Sequence, residues 1–159
     1  MFLPAAANFA WWTANLPSAI RFRISLANPM AVQDALLSGY IRANAGTEFG
    51  RRHGFDRIRS IDDFRAAVPI RDYDGLAADI DRVAAGAANV LTAEPVIRLA
   101  TSSGSTRARK LIPYTRSLQA EINRAVAPWI ADLYRSDPSI ACGRAYWSIT
   151  PVGEAAAPP

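Results

Sequence analysis

The residues best suited to chemistry lie in one ten-residue stretch, 101–110, which reads TSSGSTRARK. Its hydroxyl side chains and backbone N–H groups can donate hydrogen bonds to phosphate oxygens. Gly104 allows a backbone shape, and a close approach by a ligand, that residues with a Cβ resist. Lys110 adds a mobile positive charge suited to a polyphosphate. The stretch predicts a phosphate-binding loop, and a serine-rich surface turn is the alternative that composition alone allows.

Two familiar phosphate-binding patterns do not fit this stretch. The Walker pattern G-x-x-x-x-G-K-[ST] can be aligned from Gly104, but it then requires glycine in place of Arg109 and serine or threonine in place of Leu111. The dinucleotide pattern G-x-G-x-x-G is absent from the sequence. A phosphate loop of another kind is therefore expected.

The loop lies between two short apolar runs. Residues 96–100 (VIRLA) and 110–113 (KLIP) are each predicted to form a strand, so that 101–109 becomes a polar loop between them. Thr115 is predicted to cap the longest helix, and Pro128 inside that helix is expected to kink it. The apolar face of this helix comprises Leu118, Ile122, Val126, Trp129, Ile130 and Leu133.

Helices are predicted for most of the first ninety residues. Asn28 and Pro29 form a good helix start, and apolar residues then recur at helical spacing to residue 44. Ser60 and Asp63 have the spacing of a capping box. The predicted helices cover residues 29–44, 47–52 and 61–67, and a further helix runs from a cap at Asp72 to Gly86.

The first twenty residues are rich in alanine and aromatic residues, but they lack a basic segment before the apolar stretch. Pro4 and Pro17, among others, interrupt that stretch well short of the ~20 apolar residues that a spanning helix needs. We therefore expect an amphipathic helix that packs Phe9 and Trp12 onto the body of the protein, with no membrane association.

Composition excludes several other classes of function. The single cysteine, Cys142, cannot form an internal disulfide, and the single histidine, His53, excludes a multi-histidine metal site. A reducing cytoplasm is therefore the expected location. The net charge is +4, but the arginines are scattered along the chain, whereas nucleic-acid binding would need them clustered on one face. No nucleic-acid partner is expected.

The order of elements predicts an α/β protein, α+β by content in these residues, in which a helix-rich N-terminal part precedes a few strands. A last strand is predicted at residues 145–150 (AYWSIT), and residues 153–159 have the composition of a surface loop. A length of 159 residues fits one domain. With so few strands, the sheet is expected to be incomplete.

The phosphate-binding stretch resembles the signature [ST]-[SG]-G-[ST]-T-G-x-x-K of the adenylate-forming superfamily. Within that group, the chain resembles bacterial members of the auxin-responsive Gretchen Hagen family of acyl-acid amido synthetases. The runs that carry this resemblance, in order, are NAGTEFGRRHGFDRIRSIDDFRAAVPIRDYD, VLTAEPVIRLATSSGST, KLIPYTRSLQ and GRAYWSITP. The resemblance covers essentially the whole chain.

The resemblance implies an ATP-dependent ligase with two half-reactions. A carboxylic acid is adenylated by ATP in the presence of Mg²⁺, and an amine such as an amino acid then takes the acyl group. The residues that would hold the phosphates are Ser102, Ser103, Gly104, Ser105, Thr106 and Lys110. No catalytic base is assigned, because a carboxylate is already a nucleophile at neutral pH.

The sequence departs from the family in two respects. Arg107 stands where the signature expects glycine. The motifs for adenine and ribose and the mobile C-terminal domain are also missing, so residues 1–159 are expected to be a partial N-terminal domain of an acyl-adenylating ligase. A non-catalytic remnant, or a small nucleotide- or partner-binding module, is the alternative, and we expect the chain alone to be inactive.

The remaining candidates are expected to be structural. His53 is interpreted as a helix-end residue, and Cys142 as inert. Arg116 and Arg124 could meet an acyl carboxylate, but a solvated helix face is the preferred interpretation. The tryptophans are predicted to be core residues; they are Trp11, Trp12, Trp129 and Trp147.

Overall fold

The computed structural model describes residues 2–101 and 110–146. These residues form the helix-rich α/β structure that was predicted, with a two-stranded antiparallel sheet. The helices are α1 (Phe2–Ser25), α2 (Pro29–Asn44), α3 (Glu48–Arg52), α4 (Ile61–Ala67), α5 (Ala77–Ala84) and α6 (Arg116–Ser136). The strands are β1 (Arg98–Thr101) and β2 (Leu111–Tyr114), and 3-10 turns occur at Phe55–Arg57, Asp74–Leu76 and Pro138–Cys142.

The described residues divide into two compact units. One consists of those within 1–29 and 117–150, and thus contains α1 and nearly all of α6. The other consists of those within 30–116, and contains α2 to α5 with the sheet. Each unit has its own local packing, and each is considered separately below.

The helix starts in the second unit follow from local side-chain hydrogen bonds. The Thr47 hydroxyl accepts the N–H of Gly50 at 2.9 Å and so caps α3. Ser60 and Asp63 form the predicted capping box at the start of α4. Because each of these side chains satisfies backbone groups that the first helical turn leaves unpaired, the predicted starts of both helices are confirmed.

A small hydrophobic cluster holds α2, α3 and α4 together. Ile41, Phe55 and Ile58 are its buried members, and Phe49 and Phe64 pack against them half-buried. The rings of Phe49 and Phe55 meet edge to face, with centroids 5.9 Å apart. Of the buried members, Ile41 lies near the end of α2. Phe55 and Ile58 lie in and just after the 3-10 turn that follows α3.

The two strands lie slightly later in the chain than predicted. The strand expected at 96–100 is found at 98–101, and that expected at 110–113 is found at 111–114. Pairing with a partner strand defines these limits, and apolar composition does not reveal that register. The strand predicted at 145–150 is wrong for Ala145 and Tyr146, which form no strand; the rest of that stretch lies outside the described residues.

In the first unit, α1 is a helix as predicted, and at 24 residues it is longer than α6, which has 21. The buried side of α1 carries Asn8 and Ala19. The Asn8 amide donates hydrogen bonds to the backbone oxygens of Ala141 and Gly143, at 2.8 and 2.9 Å. Phe9 lies about 100° around the helix from Asn8, away from the buried side. Its side chain is 60% exposed, so the prediction that it packs onto the protein is wrong.

The buried side of α6 is displaced from the predicted one. Ala127, Ile130 and Ala131 are its buried residues, and Trp129 is 54% exposed. The prediction of a core Trp129 is therefore wrong. The reason is that small alanines, which hydrophobic periodicity weights lightly, form the close contacts. Among the described residues, no helix is both long enough and apolar enough to cross a membrane.

Candidate phosphate-binding site

The hairpin brings together the two ends of the segment that was predicted to bind phosphate. The strands are antiparallel, with Thr101 opposite Leu111 and Arg98 opposite Tyr114. Residues 102–109, between the two strands, lie outside the described residues. The prediction of a strand on each side of this segment is confirmed, and Thr101 and Lys110 lie at its two ends.

Lys110 lies where the chain re-enters the sheet, and its side chain is exposed. Its ammonium nitrogen lies 5.4 Å from the centroid of the Tyr73 ring, within the distance of a cation–π interaction. The Tyr73 hydroxyl accepts the backbone N–H of Leu111 at 2.9 Å. One tyrosine therefore contacts both the side chain of Lys110 and the peptide that follows it.

The position of Tyr73 depends on a turn before α5. Tyr73 immediately precedes the 3-10 turn Asp74–Leu76, which leads into α5. The Asp72 carboxylate accepts the N–H of Gly75 at 3.0 Å. The helix predicted to run from a cap at Asp72 to Gly86 is nevertheless wrong in its limits, because the 3-10 turn comes first and α5 spans only Ala77–Ala84. Tyr73 was not identified as a site residue from the sequence, because 38 residues separate it from Leu111 and no local pattern indicates the contact.

A second hydrophobic cluster supports the hairpin. Its buried members are Val83 of α5, Leu99 of β1, and Val90 from the segment between α5 and β1. Leu111 of β2 packs against them. Val90 is 1% exposed. The strands that bracket the segment are thus held to α5 by apolar contacts, which burial favours by roughly 25 cal/mol per Å².

Two ion pairs tie α5 to α3. Arg52 contacts Asp79 through two hydrogen bonds, and Arg82 contacts Glu48 likewise, at 2.6 and 2.7 Å. The hydrogen bonds from Arg52 lower the pKa of the Asp79 carboxyl, although burial opposes the shift. Those from Arg82 similarly lower the pKa of Glu48. All four side chains are therefore charged at neutral pH, and α5 is anchored on the side of α3 as well as on that of the sheet.

Comparison with known proteins identifies the family. The GH3 family N-terminal domain matches residues 19–151 of this chain. The chain belongs to the GH3 family. The predicted resemblance to this family is thereby confirmed, and the comparisons do not test its bacterial part.

The match to known GH3 proteins covers only a small part of the length of those proteins. It is 34% identical over 96 residues to the probable indole-3-acetic acid-amido synthetase GH3.2 of Oryza sativa subsp. japonica, covering 59% of this chain and 15% of that protein. It is 40% identical over 88 residues to the indole-3-acetic acid-amido synthetase GH3.8 of Oryza sativa subsp. indica, covering 54% and 14%.

A solved structure resembles the GH3 chain as well. An AtGH3.15 acyl acid amido synthetase in complex with 2,4-DB superposes with a TM-score of 0.61 at 29% identity, covering 66% of this chain and 19% of the other. The chain therefore spans less than a fifth of the length of these relatives. The likeness extends to the fold as well as to the sequence.

The structure of the GH3 chain describes one of the six predicted phosphate-binding residues, Lys110. The other five lie outside the described residues: Ser102, Ser103, Gly104, Ser105 and Thr106. Within residues 2–101 and 110–146, no group of three or more histidine, cysteine, aspartate or glutamate side chains could hold a metal ion.

The structure also places the minor candidates. His53 follows α3 as its C-terminal cap, which confirms the helix-end interpretation. Its ring is buried, and Nδ1 donates to the Ala67 carbonyl at 2.9 Å. Arg116 and Arg124 are exposed on α6, and Cys142 is an exposed free thiol. Of the tryptophans, Trp11 meets Tyr134 edge to face, with ring centroids 6.3 Å apart.

Proposed function

We propose that this chain supplies the phosphate-binding part of an ATP-dependent ligase that joins a small carboxylic acid to an amine such as an amino acid. The observation that carries the proposal is the hairpin. Thr101 and Leu111 are paired across the sheet on either side of the hydroxyl-rich segment, and Lys110 lies where that segment ends. Membership of the GH3 family and the names of the matched relatives support the same reaction class.

The proposed reaction has two steps, with ATP as a substrate. An oxygen of the acid's carboxylate attacks the α-phosphorus, and the bond from that phosphorus to the bridging oxygen of pyrophosphate breaks. The amine nitrogen then attacks the acyl carbon, AMP leaves with the electron pair of the broken bond, and the nitrogen loses a proton. No base is needed in the first step, because a carboxylic acid is ionised at neutral pH.

The chain's own residues would hold the phosphates in place for this displacement. The hydroxyls and backbone N–H groups of 102–106 would donate hydrogen bonds to phosphate oxygens, with Gly104 leaving room for their approach. Lys110 would add a positive charge at the end of the loop. Because charge develops on the departing pyrophosphate, a cation fixed there favours the transition state over the ground state.

The proposal assigns nucleotide recognition beyond the phosphates, and closure of the site, to regions of the relatives that this chain does not match. As the family resemblance implies, contacts to adenine and ribose, and a mobile C-terminal domain, are expected in the portions of such relatives that this chain does not match, since it spans 15% of the rice GH3.2 length. A cytoplasmic location is part of the same proposal. A module that binds phosphates without catalysis is the second candidate, because the chain spans only 15% of the rice GH3.2 length.

The test is a titration of the 159-residue chain, labelled with ¹⁵N, with Mg·ATP, inorganic tripolyphosphate and adenosine, followed by NMR. ATP and tripolyphosphate are expected to shift the same signals, those of residues 101–111, with weak affinity, whereas adenosine leaves them unchanged. Lys110→Ala should abolish most of the response. The matched control is Arg124→Ala, which removes one exposed positive charge elsewhere.

Two results would contradict the proposal. One is an equal loss of affinity in Lys110→Ala and Arg124→Ala, which would indicate a general attraction between a basic protein and an anion. The other is a response to adenosine as large as that to tripolyphosphate, which would mean that the segment recognises the nucleoside and not its phosphates.

A further inference from the structure

Tyr73 is the one described side chain that contacts Lys110 through its ring and the adjoining backbone through its hydroxyl. The ring centroid lies 5.4 Å from the Lys110 ammonium nitrogen, and the hydroxyl accepts the Leu111 N–H at 2.9 Å. We propose that Tyr73 positions Lys110 for phosphate binding. The inference rests on the proposed function, because that function supplies the phosphate that Lys110 would bind.

The hydroxyl fixes the backbone at the end of the loop. Leu111 is the first residue of β2 and pairs with Thr101, the last residue of β1. Its N–H is bonded to Tyr73 and so is satisfied from outside the hairpin. The Leu111 side chain also packs against the cluster of Val83 and Leu99. Backbone and side chain of Leu111 are therefore both held, and the Cα of Lys110 is one peptide away.

The ring orients the lysine without neutralising it. An aromatic face attracts an ammonium group through its quadrupole, yet it carries no net charge. Among the described residues, the ion pairs are Arg52–Asp79, Arg65–Asp62, Arg82–Glu48 and Arg135–Asp132, and none involves Lys110. The charge of Lys110 thus remains available to an anion, while the number of side-chain conformations to be fixed on binding is reduced.

A purely structural role for Tyr73 makes different predictions. If the ring only filled space, Tyr73→Phe would behave like the parent protein, because it keeps the ring and loses only the hydroxyl. If Tyr73 positions Lys110, Tyr73→Phe weakens the backbone restraint and Tyr73→Leu removes both contacts. The effects should therefore be graded, with the leucine variant the more severe.

The first experiment uses the chain's single lysine. A lysine-specific protease can cut only the Lys110–Leu111 bond, whose N–H is the one that Tyr73 accepts. Loss of this hydrogen bond should speed native-state cleavage about fivefold in Tyr73→Phe, because cleavage follows the population of the locally opened form. The matched control is Tyr114→Phe. Tyr114 lies in β2, as Leu111 does, and its ring centroid is 4.5 Å from the Arg98 guanidinium carbon. An unchanged rate in Tyr73→Phe would overturn the inference without any reference to nucleotide.

The second experiment measures tripolyphosphate affinity in a double-mutant cycle. Tyr73→Phe and Tyr73→Leu should weaken binding by about threefold and tenfold, as loss of a modest restraint implies. In a Lys110→Ala background, neither should have a further effect. Binding that depends on Lys110 but is equal in Tyr73→Phe, Tyr73→Leu and the parent would overturn the inference alone. Absence of any Lys110-dependent binding would overturn the proposed function, and the inference with it.

Discussion

Arg52 holds Asp79 by two parallel hydrogen bonds, with Nη1 2.9 Å from one carboxylate oxygen and Nη2 3.1 Å from the other. The Asp79 side chain is 10% exposed, and that of Arg52 is 43% exposed. A planar guanidinium matches a carboxylate at both oxygens, so the pair fixes the orientation of α5 as well as its distance from α3. Since α5 carries Val83, which packs on the sheet, this pair supports the hairpin indirectly.

Loss of the Asp79 carboxylate should destabilise the chain. Asp79→Asn removes the negative charge, and the expected loss in the free energy of unfolding is about 1 kcal/mol, because Arg52 is partly solvated and the attraction is screened. Chemical denaturation at pH 7 measures it. Asp81→Asn is the control, since Asp81 is an exposed aspartate of the same helix. Equal effects of the two substitutions would show that the ion pair contributes nothing specific.

The effect of Asp79→Asn should depend on pH. Hydrogen bonds from Arg52 hold the pKa of Asp79 below its ordinary value in the folded chain. A lowered folded-state pKa contributes stability that is present above the unfolded-state pKa of about 3.9 and is lost as the pH falls through the folded-state pKa. The difference between parent and variant should therefore be constant from pH 7 to 5 and shrink below pH 4. A difference that persists undiminished at pH 2.5 would contradict this explanation.

Alanine should be tolerated at one of two neighbouring glycines and not at the other. A Cβ at Gly50 would collide with the backbone oxygens of Asn44 and Ala45, whereas one at Gly46 would meet nothing within 4 Å. Gly50→Ala is expected to cost about 2 kcal/mol of unfolding free energy, because the collision is with backbone that cannot easily move. Gly46→Ala should change it by less than about 0.5 kcal/mol. Thermal unfolding of both variants checks this, and similar melting temperatures would refute it.

Much of the second unit could be predicted because its signals are local. Ser60 and Asp63 lie three residues apart, and the capping box that their spacing indicates is present. The helix expected at 29–44 has those limits in the structure. In each case the hydrogen bonds and apolar repeats that define the helix lie within a few residues of each other, so the sequence displays them directly.

The contacts that support the candidate site could not be predicted in the same way. Tyr73 and Leu111 are 38 residues apart, and Arg52 and Asp79 are 27 apart. Both contacts exist only because the chain folds back on itself, and no local pattern distinguishes these residues from other tyrosines and arginines. The shift of both strands has the same origin, since pairing between Thr101 and Leu111 sets their limits.

Glycine at position 107 should improve phosphate binding. Arg107 replaces the glycine of the superfamily signature, and if the loop needs positive φ there, an arginine costs on the order of 1 kcal/mol. Arg107→Gly is therefore expected to tighten Mg·ATP binding about fivefold. Arg107→Ala removes the same charge without giving the backbone this freedom, and it should not tighten binding. Equal affinities of the arginine and glycine forms would show that the substitution is harmless.

The 159-residue chain alone should not catalyse adenylation. The displacement needs the acid's carboxylate and the α-phosphate held in line, and small errors of position cost large factors in rate. Under the proposed function, the segment ending at Lys110 holds only the phosphates of ATP, and the chain spans 15% of the rice GH3.2 relative.

The assay for this last prediction is exchange of labelled pyrophosphate into ATP. Purified chain is incubated with Mg²⁺, ATP, labelled pyrophosphate and a panel of carboxylic acids. No acid-dependent label is expected in ATP, because the proposed function assigns this chain the phosphates and not the adenosine. The decisive controls are Lys110→Ala and Ser103→Ala. Acid-dependent exchange that both substitutions abolish would contradict the prediction and show that the chain has a working active site that needs both residues.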